Sequence, residues 1–588
     1  MKVKTSASGR MVMLVAVCVP LVYYLTFTWV YPRPYYLQPA DLEQDYYYNS
    51  RLILSGLPPK GVHHPGTPVH YLGAAILSFV GTDISRAQTF FDIGYLTIGI
   101  FSALGLGMLA RVVLVNYPLS ISVCALALLV VHPAFLSYSN QFGADAFIVP
   151  VGTMLLAALW KAIEQSGSER YSRRWWFIGA MLAGLALAIK LTFLPVVAAM
   201  LATRFVGLVA SRKSPTQRVT FAFGELLIFA LIILVSFVVF TIPVLNRFPG
   251  ILINLLHRHE AVPPTSLKRI IWNWLPILQH PYWFLYFFYT GLAIVGLGIV
   301  IISRYAQLRK QKVNKVDKVV SLKTTFLLIS TLLFMYTCAT VQREAHPVNP
   351  WLDPGVMTRN ILPSALFLPF VLLYIYDFFR EQQEFSTRTH NVFSLIGLII
   401  FIVVFGGYVT QRSEFIDGMR LLVNQTQMEL RKYASEGKRI AFWDGSPGNL
   451  LGEASFHYWG DYNYAHDLFD EELLSNFPDY TLFRLREVPA WLESPPGDNE
   501  NDNFSNWYYT WWQQHVTSPY FTPRVQELFI GERKGIAPAV FAFPKRELRG
   551  KLRLSDVLGY LDRIGEPQSI VETSIGPVQW IIVLMSYP

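Results

Sequence analysis

Residues 219–245 read Val219-Thr-Phe-Ala-Phe-Gly-Glu-Leu-Leu-Ile-Phe-Ala-Leu-Ile-Ile-Leu-Val-Ser-Phe-Val-Val-Phe-Thr-Ile-Pro-Val-Leu245, with Glu225 as their one charge. About 20 apolar residues in a helix cross the hydrocarbon core of a bilayer, so this run is read as a membrane span. Working outward, comparable runs lie near 11–30, 88–110, 118–137, 145–163, 175–190, 192–210, 281–303, 322–340, 360–379 and 392–410, which predicts about eleven spans. The composition agrees. Of 588 residues 53% are hydrophobic and 15% charged, with a mean hydropathy of +0.34, where a soluble protein carries about a quarter charged residues. An ordinary soluble enzyme is excluded.

The net charge of +9 is divided unevenly: residues 1–410 hold 32 Lys+Arg against 16 Asp+Glu, and residues 411–588 hold 17 against 24. A basic apolar part beside an acidic tail fits loops held against anionic lipid, and no basic and aromatic run suggests a nucleic-acid groove. A cytoplasmic N-terminus places Lys2, Lys4, Arg10, Arg111, the 170–174 loop, residues 212–218 and the 304–323 loop on one side, as the positive-inside rule requires. An odd number of spans then puts the tail outside. Cys18, Cys124 and Cys338 all fall in apolar runs without paired spacing, so neither a disulfide framework nor a zinc site is expected.

The expected architecture is a polytopic α-helical membrane domain over residues 1–410, with an outer juxtamembrane loop at 31–87, followed by a soluble extracytoplasmic α/β domain over 411–588. The segment 67–80 is too short to span and is expected to lie along the interface. In the tail, strand patterns at Arg439–Trp443, Tyr480–Leu485, Ala539–Phe543 and Val578–Val583 alternate with helical patterns near 449–458 and 555–564. Residues 494–506 read as an exposed loop, and the aromatic run Trp507-Tyr-Tyr-Thr-Trp-Trp512 suits packing or headgroup anchoring better than sugar stacking.

Chemistry is concentrated in the first outer segment, Pro39-Ala-Asp41-Leu-Glu43-Gln-Asp45-Tyr-Tyr-Tyr-Asn-Ser-Arg51-Leu-Ile-Leu-Ser-Gly56, followed by His63-His64-Pro65. Asp41 and Asp45 stand four apart and would share one helix face, where mutual repulsion suits a carboxylate to proton abstraction. The same residues also suit an acidic first turn that complements the helix dipole, with Gly56 as C-cap.

Through Asp41, Tyr46 to Tyr48, Arg51, Gly56 and His64-Pro65 the segment resembles the first outer loop of the GT-C glycosyltransferases that use polyprenyl-phosphate sugars, a class including protein mannosyltransferases and lipid A aminoarabinose transferases. The resemblance continues in order over roughly the first 380 residues. It runs through Arg86 before the second span, Asp145 in Asn140-Gln-Phe-Gly-Ala-Asp145, the Gly-rich Gly184–Lys190, and Thr358-Arg359-Asn-Ile-Leu-Pro363, where Asn360 stands in place of the family's Tyr.

The resemblance implies a GT-C fold and a catalytic Asp in the first outer loop, and Asp41 and Asp45 are rival candidates for it. The topology brings Asp41, Asp45, Asp145, Lys190, the cluster His257-Arg258-His259-Glu260 and Arg359 to the outer side. There Lys190, Arg258 and Arg359 are expected to meet the donor phosphate, although each also fits a snorkelling or headgroup role at a helix end. Asp145, His257, His259 and His64 are further candidates. A divalent metal is compatible with the sequence and not required by it, because two histidines two apart on a helix point to different sides.

The expected partners are a polyprenyl-phosphate-linked sugar and a glycan, lipid or protein acceptor, in a bacterial cytoplasmic membrane. A transporter or flippase for lipid-linked glycans is the rival class. No paired half-repeats of the kind transporters show are found. The topology is checked with single cysteines in a cysteine-free background. Ser569→Cys reacts with an impermeant maleimide in sealed spheroplasts, and Ser214→Cys reacts only after permeabilisation.

Overall fold

The computed structural model describes residues 34–37, 42–59, 66–130, 141–166, 168–210, 215–247, 281–311, 318–340, 365–381, 387–434, 439–443, 450–461, 468–485, 527–529, 537–545 and 553–587, with the single residues 18, 21 and 363. Two short helices, α1 (Leu42–Leu54) and α2 (Thr67–Val80), precede the apolar ones. The apolar helices follow: α3 (Ala87–Asn116), α4 (Leu119–Val130), α5 (Ala144–Glu164), α6 (Glu169–Ile189), α7 (Leu194–Ala210), α8 (Pro215–Thr241), α9 (Pro281–Gln311), α10 (Lys318–Thr340), α11 (Leu368–Glu381) and α12 (Thr387–Arg431). Helices thus cover all or part of every apolar run from 88 to 410, while the run at 11–30 lies largely outside the described residues. Among the described residues four helical segments, Ile84–Asn116, Ala144–Glu164, Leu191–Val209 and Thr220–Thr241, are long and apolar enough to cross a membrane. The segment Thr67–Val80 is, as expected, shorter than that.

The packing follows from side-chain size. α3 lies on α5, α5 on α6, and α6 on α8. A Cβ on Gly184 of α6 would stand 2.5 Å from the Ile233 carbonyl of α8, and one on Gly105 of α3 would stand 2.7 Å from the Pro150 carbonyl of α5. Small residues let helix backbones approach where lipid supplies no hydrophobic drive, so the Gly-rich stretch before Lys190 serves packing. Charges among these helices are paired, as burial in a low-dielectric region demands. Glu225 lies between Arg204, 2.5 Å away, and Arg173, 3.0 Å away. Asp377 takes Lys323 at 2.9 Å and a hydrogen bond from the Tyr117 hydroxyl at 2.9 Å. Asp92 accepts from Gln88 at 2.8 Å. Glu225 thus serves contacts between helices and Asp92 a contact within its own helix.

α12 is 45 residues long, which at 1.5 Å per residue is roughly 68 Å, about twice a hydrocarbon core. It runs through residue 410 without a break and delivers the chain into the tail. There β1 (Ile440–Phe442), α13 (Glu453–Gly460), α14 (Asp470–Asn476), β2 (Tyr480–Leu485), β3 (Glu527–Phe529), β4 (Val540–Pro544), α15 (Leu554–Leu561), β5 (Glu566–Ile575) and β6 (Val578–Ser586) form an α/β unit. The sheet has the order β3-β2-β1-β4-β6-β5, with β1 parallel to β2 and β4 and the other pairs antiparallel.

Alternation along the strands separates two cores. Ile440, Phe442, Leu482 and Ala542 face α13 and α14, whereas Ala441, Phe483, Phe541 and Phe543 face α15. The four expected strands and both helices are found, and the sequence reading missed β3 and β5. β5 is an edge strand with mostly exposed or half-exposed residues, so it carries no apolar signal. Gly576 (φ 54) opens its two-residue hairpin to β6, where a positive φ is needed. The loop at 494–506 and the aromatic run 507–512 lie outside the described residues.

The tail is docked on α1. Fully buried His457 of α13 hydrogen-bonds the hydroxyls of Tyr35 (Nε2, 2.8 Å) and Tyr48 (Nδ1, 3.0 Å). Gln44 donates to the Phe456 carbonyl at 3.1 Å. Arg51 pairs with Glu472 of α14 and stacks on Phe469 with 3.8 Å between its guanidinium carbon and the ring centroid. Glu472 in turn accepts the Ile84 amide at 3.1 Å.

Burial, with the Arg51 charge adding to it, holds the His457 pKa well below its usual value, and burial raises those of Tyr35 and Tyr48. A neutral ring has one donor and one acceptor, so one tyrosine donates to it and the other accepts from it. The unfolded imidazole gains a proton as the pH drops below about 6.5 while the folded one does not. The stability tied to His457 is therefore complete above that pH and is lost as the pH falls toward the depressed folded value. The unfolding midpoint in detergent is expected to drop between about pH 7 and pH 5, and to drop less in His457→Gln. Equal pH dependence in the two proteins would refute this.

Candidate active site at the first outer helix

α1 buries polar residues all round: Glu43, Gln44, Asp45, Asn49, Ser50 and Arg51 are each less than a tenth exposed. It ends in a Schellman motif, with Gly56 at φ 74, its amide 3.0 Å from the Ile53 carbonyl, and the Leu57 amide 2.8 Å from that of Leu52. Gly56 is thus the C-cap the sequence suggested. Each polar side chain on the helix is met by a different neighbour.

Asp45 lies toward α2. Asn49, one turn on, donates to its Oδ1 and, at 2.8 Å, to its main-chain carbonyl. His70 Nε2 of α2 stands 3.7 Å from Asp45 Oδ1, beyond direct hydrogen-bond length. Burial alone pulls the His70 pKa down to about 3, so its ring is neutral at pH 7, and among the described residues its two ring nitrogens have no hydrogen-bond partner. Its carbonyl accepts from Ser50 Oγ at 3.0 Å, which fixes α2 against α1.

Tyr46 joins this corner to the next. Its ring lies 4.8 Å from that of His70. A Cβ on Gly66 would stand 3.1 Å from the Tyr46 hydroxyl, and one on Gly143 would stand 2.9 Å from its ring. Gly66, left-handed at φ 47, also donates its amide to the Ile189 carbonyl at 3.2 Å. That bond ties the start of α2 to the end of α6, where Lys190 stops the helix. Lys190 reaches Asp145, in the first turn of α5, and forms an ion pair with both side chains at most 2% exposed. An acid in a first helical turn also suits the positive end of the helix dipole. Glu43 completes the cluster, accepting from the Tyr95 hydroxyl of α3 at 2.8 Å and from the Phe142 amide at 3.0 Å.

The structure therefore gathers three of the named candidates, Asp45, Asp145 and Lys190, around Tyr46 and Gly66. Asp41, His64, His257, Arg258, His259 and Arg359 lie outside the described residues. Tyr46, marked by the resemblance, belongs to the cluster, as do Glu43, His70 and Tyr95, which were assigned no role from sequence. Their spacing matches core packing equally well. Arg86, instead of facing this cluster, donates to the Val80 carbonyl at 2.9 Å and closes the end of α2. Among the described residues no three His, Cys, Asp or Glu side chains are grouped to hold a metal.

The arrangement offers a buried carboxylate beside a neutral imidazole, next to a second acid held by a lysine. Removing one member of a buried ion pair strands the other. Lys190→Met is expected to destabilise the protein by about 3–5 kcal/mol, and Lys190→Met/Asp145→Asn to recover part of the loss, as read by unfolding midpoints in detergent.

No protein-family model and no curated protein matches the chain. Two solved structures of ArnT from Cupriavidus metallidurans are similar to it over 98% of both chains. One is bound to undecaprenyl phosphate, at 10% identity and a TM-score of 0.44, and the other is in the apo state, at 12% identity and a TM-score of 0.47.

Proposed function

We propose that this chain is a multi-pass membrane glycosyltransferase that moves a sugar from a polyprenyl-phosphate donor to an acceptor hydroxyl on the outer face of the membrane. The observation that carries the reading is the burial of Asp45 on α1, anchored by Asn49 and next to neutral His70, with Tyr46, Gly66 and Gly143 linking this corner to the Lys190–Asp145 pair.

In this reading an Asp of the first outer loop, Asp45 or Asp41, takes the proton of the acceptor hydroxyl. The freed oxygen attacks the anomeric carbon from the side opposite the leaving group, and the bond to the polyprenyl phosphate breaks with inversion. Negative charge grows on the departing phosphate. Cations placed in advance stabilise it most where water is scarce, and Lys190, Arg258 and Arg359 are assigned that role. Lys190 would exchange Asp145 for the phosphate as the donor enters, leaving Asp145 to its helix terminus. Two further features fit the same chemistry: the apolar helices suit the prenyl chain, and the packing of α2 and of the tail on α1 limits access of water to the site.

The test is transfer from labelled polyprenyl-phosphate sugars in membranes with matched expression. Wild type consumes one donor of a panel. Asp45→Asn or Asp41→Asn lowers the rate by about 10²–10⁴-fold, the usual contribution of a general base. If no donor is consumed, or both variants keep wild-type rates, the transferase reading falls.

A further inference from the structure

A second feature lies apart from the α1 cluster. Where the outer end of α12 meets the tail, a cleft of about 250 Å³ opens among the described residues. One wall is the α12 face carrying Asn424, Gln427 and Arg431; the other is the turn Asn476–Asp479 ahead of β2; Tyr36 and the Gly452-Glu453 start of α13 close its floor. Three contacts hold its shape. Gln427 donates to the Leu451 carbonyl at 3.0 Å, Arg431 pairs with Asp479 at 2.9 Å, and Asn476 donates to the Glu472 carbonyl at 2.9 Å. Gly452, at φ 65, lets the backbone pass close to α12 and to Tyr36. A Cβ there would meet Val423 at 3.3 Å, Gln427 at 3.4 Å and Tyr36 at 3.5 Å.

The lining discriminates between ligand classes. An anion needs an excess of cations, yet among the lining residues Arg431 is matched by Asp479, and the other acid or base is the Glu453 carboxyl, apart from tyrosine hydroxyls. A purely apolar ligand would cover the exposed Asn424 and the second N–H and the carbonyl oxygen that Gln427 and Asn476 each keep beyond the contacts just given. What the cleft presents is a set of planar side chains that both donate and accept, together with the aromatic faces of Tyr36 and Phe477. Hydroxyls arrayed around a ring also donate and accept, and the C–H face of the ring packs on aromatic carbon. The volume is below the about 300–1,000 Å³ of sites for drug-sized ligands and is on the scale of a small ring.

We propose that this cleft is a binding site for a neutral saccharide unit, separate from the α1 cluster. The proposal does not rest on the transferase reading, and its test needs no turnover.

Full-length protein in detergent is titrated with three probes, methyl α-mannoside, methyl β-glucoside and methyl β-N-acetylglucosaminide, and bound sugar is read by saturation-transfer NMR. At least one probe gives a saturable signal that inorganic phosphate does not displace. Asn424→Ala weakens that binding by roughly fivefold or more, the worth of a lost hydrogen bond. Asn424→Trp, which fills the cleft from an exposed position, abolishes it. Both variants keep the wild-type unfolding midpoint. The proposal is overturned by the absence of a saturable signal from all three probes, by displacement with phosphate, or by unchanged binding in Asn424→Trp.

Discussion

The structure depends on one constraint, that the polar residues buried on α1 must each find a partner. A thirteen-residue helix with Glu43, Gln44, Asp45, Asn49, Ser50 and Arg51 all withdrawn from water would be costly alone, since each unpaired buried polar group costs a few kcal/mol. The partners come from both sides. Tyr95 belongs to α3 and the Phe142 amide to the bend just before α5, and the Phe456 carbonyl, His457 and Glu472 belong to the tail. α1 is thereby the hinge pin between the two parts of the chain, and its position is fixed only when both are present.

This arrangement explains why the tail is attached by so long a helix. α12 packs on α4 among the apolar helices and ends against β5 and the 452 turn, so its length sets the height at which the sheet sits. Two contacts of different character then hold the tail on α1. The Arg51–Glu472 pair is charged and gains an aromatic shelf in Phe469. The His457 contact is neutral and directional, and it relies on an imidazole kept uncharged by burial. The first confers strength where solvent still reaches Glu472, and the second confers register where it does not.

The same logic runs through the cluster near Asp45. Close approaches at Gly66 and Gly143 admit the Tyr46 ring, and the Gly66 amide bond to Ile189 links the helix that carries His70 to the one that ends in Lys190. The proposed chemistry and the proposed saccharide cleft thus draw on different elements, the first on α1, α2 and the start of α5, the second on α12 and the tail. The residues of the first are buried, whereas the second includes the exposed Asn424 and Asn476.

Much of this was legible in the sequence because it depends on local pattern. Apolar runs such as 219–245 specify helices whatever surrounds them, the alternating strands Tyr480–Leu485 and Val578–Ser586 specify a sheet, and Gly56 specifies the end of α1. The order of Asp45, Asp145 and Lys190 along the chain marked them as candidates. The tertiary structure alone decided that Lys190 answers Asp145, that His70 stands neutral beside Asp45, and that His457 and Glu472, more than 400 residues away from α1 in the chain, clasp it. The edge strand β5 and the short β3 were likewise invisible, since their pairing is supplied by neighbours. The physical reason is the same throughout. Periodicity records which side of an element is buried, and the partner of a buried charge or ring nitrogen is set by which distant element comes to lie against it.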